Sequence, residues 1–341
     1  MTPVTDHGGG VRSLRVPIPD NPLGHTLVYV VDTDRGPVLI DTGWDGPESW
    51  DTLADGLTAC GTSAAEIHGV VVTHHHPDHH GLSGRVREAS GAWIAMHAAD
   101  TAIVRRTREA RPERWFSYMT AKLTAAGAPE EHIAPLRAAR PRTLPGLSPA
   151  LPDRDIAPGE LLDLPGRRLR AIWTPGHTPG HVCLHLEEAH PAQLPGQGRL
   201  FSGDHLLPGI TPHIGLYEDP EDTTVTDPLG DYLDSLERVG RLAPAEVLPA
   251  HQRPFPGAAA RVTELLAHHE ARLTDLLALL AEPLTPWQLA ERMEWNRPWA
   301  QIPYGSRNIA VSEAESHLRR LVKLGRAEAV PGSEPVTYVA V

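Results

Sequence analysis

Cysteine is almost absent from this chain: Cys60 and Cys183 are the only two in 341 residues. They have no C-x-x-C spacing and cannot build a disulfide framework, so a reducing compartment, the cytoplasm, is the expected location. Long apolar runs are also lacking. The longest, such as Leu27–Val31 and Leu276–Ala281, fall far short of the ~18 residues a membrane span needs. The stretch Met1–Asp20 has no apolar core of a secretory signal, and none is expected. Positive charge is in deficit, with 31 Lys+Arg against 43 Asp+Glu and a formal net charge of −12. That balance argues against a protein whose main work is coating nucleic acid. The 34 Pro and 30 Gly stay below the ~25–30% that marks low-complexity chains. At about 150 residues per domain, the length predicts two domains.

Histidine is what the chain has in surplus. Of 20 His, five (His74, His75, His76, His79 and His80) fall within seven residues. The surroundings read as strand-rich α/β. Thr26–Asp32 and Pro37–Asp41 are β-branched apolar runs around the turn Thr33-Asp34-Arg35-Gly36. Glu48–Cys60 and Leu82–Ser90 read as helices, and Gly69–Thr73 and Trp93–Met96 as strands. From 97 to 142 the texture becomes helical, with breaks at Pro112 and Ala126-Gly127, and this stretch reads as an insertion. Residues 143–166 read as a loop. Strands resume at Leu169–Trp173, Val182–Leu186, Arg199–Ser202 and Glu246–Leu248. Beyond Pro256 come helices over Ala258–Ala281, Trp287–Glu294 and Ser312–Leu324. A hairpin follows, formed by Arg326–Val330 and Val336–Val341. That order predicts a winged-helix-like domain over 258–341 after a larger domain over 1–257.

Residues 73–81 read Thr-His-His-His-Pro-Asp-His-His-Gly. The skeleton H-x-H-x-D-H is His74, His76, Asp78 and His79, and imidazole plus carboxylate is the donor chemistry of zinc and its neighbours. Pro77 stiffens the turn that must point these donors inward. A terminal tag would lack both the interleaved Asp and the preceding strand. Three further donors sit just past strand ends: His177 in Thr174–His181, Asp204 after Phe201-Ser202-Gly203, and His251 after Leu248-Pro249-Ala250. In layered α/β folds such ends can share one edge, where sites assemble. Taken singly, each has a bland reading as a surface His or a capping Asp.

The ordered set Asp41, His74-x-His76-x-Asp78-His79, His177, Asp204 and His251 resembles the metallo-β-lactamase fold superfamily over about residues 25–255. The C-terminal pattern is similar to that of the glyoxalase II-related, lactamase-beta-like hydrolases. The resemblance implies an α/β fold, a four-layer αβ/βα sandwich with a binuclear site at one edge and here a helical lid insertion. It implies that His74, His76 and His177 hold one metal, that Asp78, His79 and His251 hold the other, and that Asp204 bridges. Two Zn2+ are expected, and Fe or Mn suits the same donors. Asp41 would orient neighbours rather than bind metal. Two positions depart from the usual pattern, Ala250 before His251 and Leu82 after Gly81, and neither removes a ligand. The pairing of Asp78 with a bridging Asp204 argues against antibiotic hydrolysis.

Two metals about 3.5–4 Å apart lower the pKa of a shared water to about 7, so a metal-bridging hydroxide is the expected nucleophile. Asp78 and Asp204 neutralise the cations. His205 and His181 are the candidates to protonate a leaving group, with His205 the first choice. His75 and His80 alternate with the ligands and should point away, and Cys183 should be an inert buried thiol.

The insertion should select the substrate. Residues 97–142 hold nine Arg/Lys (Arg105, Arg106, Arg108, Arg111, Arg114, Lys122, Arg137, Arg140 and Arg142) against five Asp/Glu, a net of +4 in an acidic chain. Trp115, Phe116, Tyr118 and Met119 supply an apolar wall. This suits an anionic substrate with an acyl part, such as an acyl-CoA or carrier-bound thioester or a related small ester. The alternatives are a metal-dependent endoribonuclease, a non-catalytic nucleic-acid-binding regulator and an iron-dependent oxidative enzyme. Residues 258–341, with nine Arg/Lys and ten Asp/Glu, lack the basic face of a nucleic-acid reader. That domain is expected to be structural, closing the site or mediating a homodimer, with Trp287, Trp295 and Trp299 as core or interface anchors.

Overall fold

The computed structural model describes residues 4–109, 112–138, 149–194, 196–217 and 225–341. Arg111, Arg140 and Arg142 of the insertion lie outside the described residues, as do the side chains of Arg114 and Trp115. The chain divides into two compact units. The first comprises residues 1–108, 145–212 and 234–263, and the second 109–144, 213–233 and 264–341.

In the first unit, strands β1 (Val4–Asp6), β2 (Val11–Pro17), β3 (His25–Val31) and β4 (Val38–Ile40) run antiparallel. Helix α1 (Pro47–Ala59) leads to β5 (Gly69–Val71), the one-turn α2 (Pro77–His80), α3 (Ser83–Ser90), β6 (Trp93–His97) and α4 (Ala98–Glu109). The second unit takes α5 (Pro112–Ala125) and α6 (Glu130–Ala138), so the insertion breaks where Pro112 and Ala126-Gly127 place them. Strand β7 (Arg154–Ile156) closes a seven-stranded sheet in the order β1 to β7, parallel from β4 onward. Strands β8 (Leu169–Trp173), β9 (Val182–Leu186), β10 (Arg199–Gly203) and β11 (Glu246–Pro249) form a second sheet, ordered β11-β10-β9-β8. Helix α7 (Pro228–Leu242) lies between β10 and β11 in the chain.

The continuous apolar runs follow from burial on both faces. In β3, Leu27, Tyr29 and Val31 enter the core between the sheets, where they meet Leu169, Leu184, Phe201 and Leu248 of the second sheet. The alternate residues Val28 and Val30 pack outward with Leu53 and Leu57 of α1 and Val86 of α3. Tyr29 and Phe201 meet edge to face across the sandwich, 5.1 Å between ring centroids. The Tyr29 hydroxyl donates to Pro249 O at 2.8 Å. Strand β2 carries no clear sequence signal because Arg12, Ser13 and Arg15 interrupt its apolar pattern, although Leu14 and Val16 are fully buried. Strand β7 falls in the stretch expected to be loop. Of its three residues only Ile156 is buried, too little for a periodic pattern.

The second unit also contains most of α8 (Ala258–Leu279), α9 (Pro286–Arg292), α10 (Arg307–Lys323) and the antiparallel pair β12 (Ala327–Ala329) and β13 (Tyr338–Ala340). Thr285 caps α9. Its hydroxyl accepts from Gln288 N at 3.2 Å and the Gln288 side chain accepts from Thr285 N at 2.9 Å. Helix α10 begins five residues before the expected Ser312. Ile309 and Val311 disfavour helix locally, but burial of Ala310, Val311 and Ala314 overrides that preference. No helix among the described residues is long and apolar enough to cross a membrane.

Two outcomes are expected. Phe201→Ala should cost about 3–5 kcal/mol in urea denaturation, as truncation of a fully packed ring does. In the second unit, burial alone would raise the Glu313 carboxyl. His213, 3.2 Å away, outweighs burial together with His317 and Arg272 and holds it at about 2. The pKa is depressed on folding, so this stabilisation is complete above pH ~4.5 and is lost as pH falls from there toward 2. Denaturation of wild type and Glu313→Gln across that window should show the slope flattened in the variant.

Candidate metal centre

Each donor sits where a strand of the first unit ends. Asp41 follows β4, His74 lies three residues past β5, His177 four past β8, Asp204 one past β10 and His251 two past β11. The sheets are joined at this edge by backbone bonds from Leu27 N to Ala250 O at 2.7 Å and from Val182 N to Thr73 O at 2.9 Å. The turn carrying Asp78 and His79 is α2, with Pro77 in its first position and the amides of His79 and His80 bonded to His76 O at 3.0 Å. Gly81 ends the turn because a Cβ there would lie 2.4 Å from Pro77 O and 2.6 Å from Asp45 N.

Two donor groups result: His74, His76, His177 and Asp204, and beside them Asp78, His79 and His251. In the first, His74 Nε2, His76 Nδ1 and His177 Nε2 form a triangle with sides of 3.0, 3.1 and 3.2 Å. Burial holds His74 and His76 well below the usual imidazole range, helped by neighbouring rings. Donors about 2.0–2.1 Å from a tetrahedral cation stand about 3.3 Å apart, close to these sides. In the second group, His79 Nε2 and His251 Nε2 lie 3.6 and 3.4 Å from Asp78 Oδ2.

Asp204 faces both groups. Its Oδ2 lies 3.5 Å from His177 Nε2, and its Oδ1 lies 3.4 Å from His79 Nε2 and 3.2 Å from His251 Nε2. The buried atoms His79 Nε2, His251 Nε2 and Asp204 Oδ1 nevertheless make no hydrogen bond of acceptable geometry. Buried polar atoms rarely go unpaired, and three converging on one point fit a cation. The electrostatics agree. Burial alone would lower His251, but Asp204 and Asp78 outweigh it and raise the ring to about 10. Burial would raise Asp204, yet His251 and His79 hold it well below the carboxylate range. Protons on the two rings thus balance the carboxylates, and a divalent cation can take their place.

The outward ring nitrogens of His251, His79 and His74 are fixed. His251 Nδ1 donates to His25 O at 3.0 Å and His79 Nδ1 to Asp41 Oδ2 at 2.8 Å. His74 Nδ1 donates to Thr73 Oγ1 at 3.1 Å, and that hydroxyl donates on to Asp41 Oδ2 at 2.9 Å. Asp41 also accepts from Thr73 N at 2.8 Å and adopts a left-handed backbone, φ +60°, to do so. These bonds aim each Nε2 lone pair into the site.

His205 is fully buried and its pKa is pushed down to about 3 by burial, then by His177, so its ring is neutral near pH 7. His181 is engaged at both nitrogens: Nδ1 bonds Thr174 Oγ1 at 2.8 Å and Nε2 accepts from Asp204 N at 3.3 Å. His80 turns away and bonds Ala150 O at 2.9 Å. Cys183 is buried, and burial pushes its thiol up to about 12. Thr73 and Asp100 are not among the candidates that the sequence singles out. Asp100 lies three residues past β6, so the rule that found the other donors, a carboxylate beyond a strand end, points to it as well.

The sequence profile of the metallo-beta-lactamase superfamily matches residues 21–251, and the chain belongs to that family. It is similar to the crystal structure of a metallo-beta-lactamase family protein from Thermus thermophilus. The identity is 32% and the TM-score 0.78, over 97% of this chain and 99% of that one. It is 26% identical to the probable metallo-hydrolase YqjP of Bacillus subtilis, over 83% of this chain and 84% of the relative. The lactamase-like protein aptB of Emericella nidulans is 25% identical over 75% of this chain, which spans only 60% of that relative's length. Fold, family and donor set together define a metal-dependent hydrolase.

Asp41→Ala should leave Thr73 N and His79 Nδ1 buried without an acceptor. Denaturation in the presence of chelator should show a loss of about 1–3 kcal/mol for each orphaned donor.

Proposed function

We propose that the protein hydrolyses thioesters, acyl-CoA or carrier-bound, or related small esters, at a two-metal centre. The observation that carries the two-metal reading is Asp204, whose two oxygens face different donor groups. His74, His76 and His177 would hold one cation, and Asp78, His79 and His251 the other, with Asp204 between them. Zn2+ is the first choice, and Fe or Mn suits the same donors. Two such cations supply an activated water at neutral pH and a Lewis acid for the carbonyl.

The residues of the chain do the rest. Asp78 and Asp204 offset the cationic charge, and Asp41 and His25 O hold the rings as neutral donors. His205, buried and neutral, follows Asp204 in the chain; to protonate a leaving group it would have to take up a second proton. The +4 charge of residues 97–142 supports an anionic substrate, and the acyl part rests on the aromatic content of the same stretch. The same proposal assigns a hydrolase domain to 1–257 and a winged-helix-like domain to 258–341.

The test measures metal content and then turnover on an acyl-CoA panel and on single-stranded RNA, with Asp78→Ala and Asp204→Ala as controls. Thioester hydrolysis that falls roughly a thousandfold in both variants is expected, the scale of losing several kcal/mol of transition-state stabilisation. Cleavage of RNA with no thioester turned over would sink the substrate assignment. Less than one equivalent of metal under replete conditions would sink the site.

A further inference from the structure

Asp100 is fully buried, yet it carries a carboxylate with four donors aimed at it. Oδ2 accepts from His75 N at 2.8 Å, His75 Nδ1 at 3.0 Å and Thr178 Oγ1 at 2.8 Å. Oδ1 accepts from Gly180 N at 2.6 Å. Burial would raise this carboxyl, but His75 and the hydrogen bonds outweigh it and keep it ionised. The four donors come from two segments. His75 lies between His74 and His76; Thr178 and Gly180 follow His177. All three imidazoles of the first donor triangle therefore hang from the two backbones that Asp100 binds. The approach is close: a Cβ on Gly180 would lie 2.5 Å from Asp100 N and 2.6 Å from its Oδ1. Only glycine allows that backbone to reach the carboxylate.

We propose that Asp100 is a positioning residue that sets the spacing of His74 and His76 against His177, and so the metal affinity of that group alone. This rests on the assignment of those three histidines to one cation. The second group, Asp78, His79 and His251, is braced instead by Asp41 and His25 O, which Asp100 does not touch. The carboxylate is required rather than a polar group of the same shape. All four partners donate, so an asparagine amide would set its NH2 against a donor. Backbone N–H groups, unlike hydroxyls, cannot turn to accept.

The test is metal titration of the full chain, read by competition with a chromophoric chelator and by the visible absorption of Co2+. Wild type should take up an equivalent at each of the two groups. Asp100→Asn should weaken one equivalent by about 10–100-fold, the usual cost of losing an outer hydrogen-bond partner, and leave the other unchanged. Its Co2+ spectrum should change in the weakened equivalent only. Thr178→Val, which removes one of the four bonds at nearly constant shape, should weaken the same equivalent by less and serves if Asp100→Asn does not fold. Two equivalents with wild-type affinity and spectrum in Thr178→Val and in any folded Asp100→Asn overturn the proposal, even if the metal-free variants melt earlier. Equal weakening of both equivalents overturns it too. Failure of the hydrolase reading looks different: wild type would bind both metals and turn over no thioester, and the titration would still decide the role of Asp100.

Discussion

Asp204 is a carboxylate in a place where burial by itself would force it to protonate. It remains ionised because two imidazoles, His79 and His251, approach its Oδ1 to 3.4 and 3.2 Å. Asp78 depends on the same two rings, 3.6 and 3.4 Å away. Everything else at this edge serves that balance. A buried anion needs positive charge beside it, and protons or cations can supply it. Protons would leave the rings acting as donors, whereas the hydrogen bonds behind the rings, to Asp41 and to His25 O, already consume the one proton a neutral imidazole carries. The hydrogen bonds behind the rings therefore suit neutral imidazoles, with cations able to replace the two protons.

The sandwich makes this possible because it fixes the strand ends before any side chain is placed. Strands β3, β4 and β5 are buried on both faces, so a register slip in any of them would expose one core to the other's packing. That rigidity passes to Asp41 and His74 within one to three residues of β4 and β5. On the opposite sheet, β10 and β11 run parallel and deliver Asp204 and His251 side by side.

The parts that were legible in the sequence share a cause. Apolar β-branched runs announce strands buried on both faces, and a donor past a strand end announces a site. This located β3, β4, β5, β8, β9, β10 and β11, and brought His74, His76, Asp78, His79, His177, Asp204 and His251 to one edge. The unread parts lacked a periodic signature. Strand β2 hides its apolar positions among Arg12, Ser13 and Arg15, and β7 is too short. Helix α10 starts in a segment whose local preference is overridden by burial. In the sequence Thr73 marks only the end of a strand, although its hydroxyl relays between His74 and Asp41. Such a relay depends on side-chain distances that no linear spacing records.

The sheet order explains what Asp41 and Asp100 share. Strand β5 lies between β4 and β6 in the sheet, and the H-x-H-x-D-H segment leaves from its end. Asp41 comes from the end of β4 on one side and Asp100 from just past β6 on the other. The segment is thus gripped from both flanks by buried carboxylates. Each takes backbone N–H groups as well as side-chain donors, at Thr73 on one flank and at His75 on the other. A loop that must present four ligands in six residues has no hydrogen-bonded ladder to hold it. Two acceptors with fixed positions replace that ladder. They occupy the amides of Thr73 and His75 and, directly or through Thr73, the Nδ1 atoms of His74, His75 and His79. The inward lone pairs are what the flanks leave over, and they converge on the positions where the two donor groups could hold a metal ion.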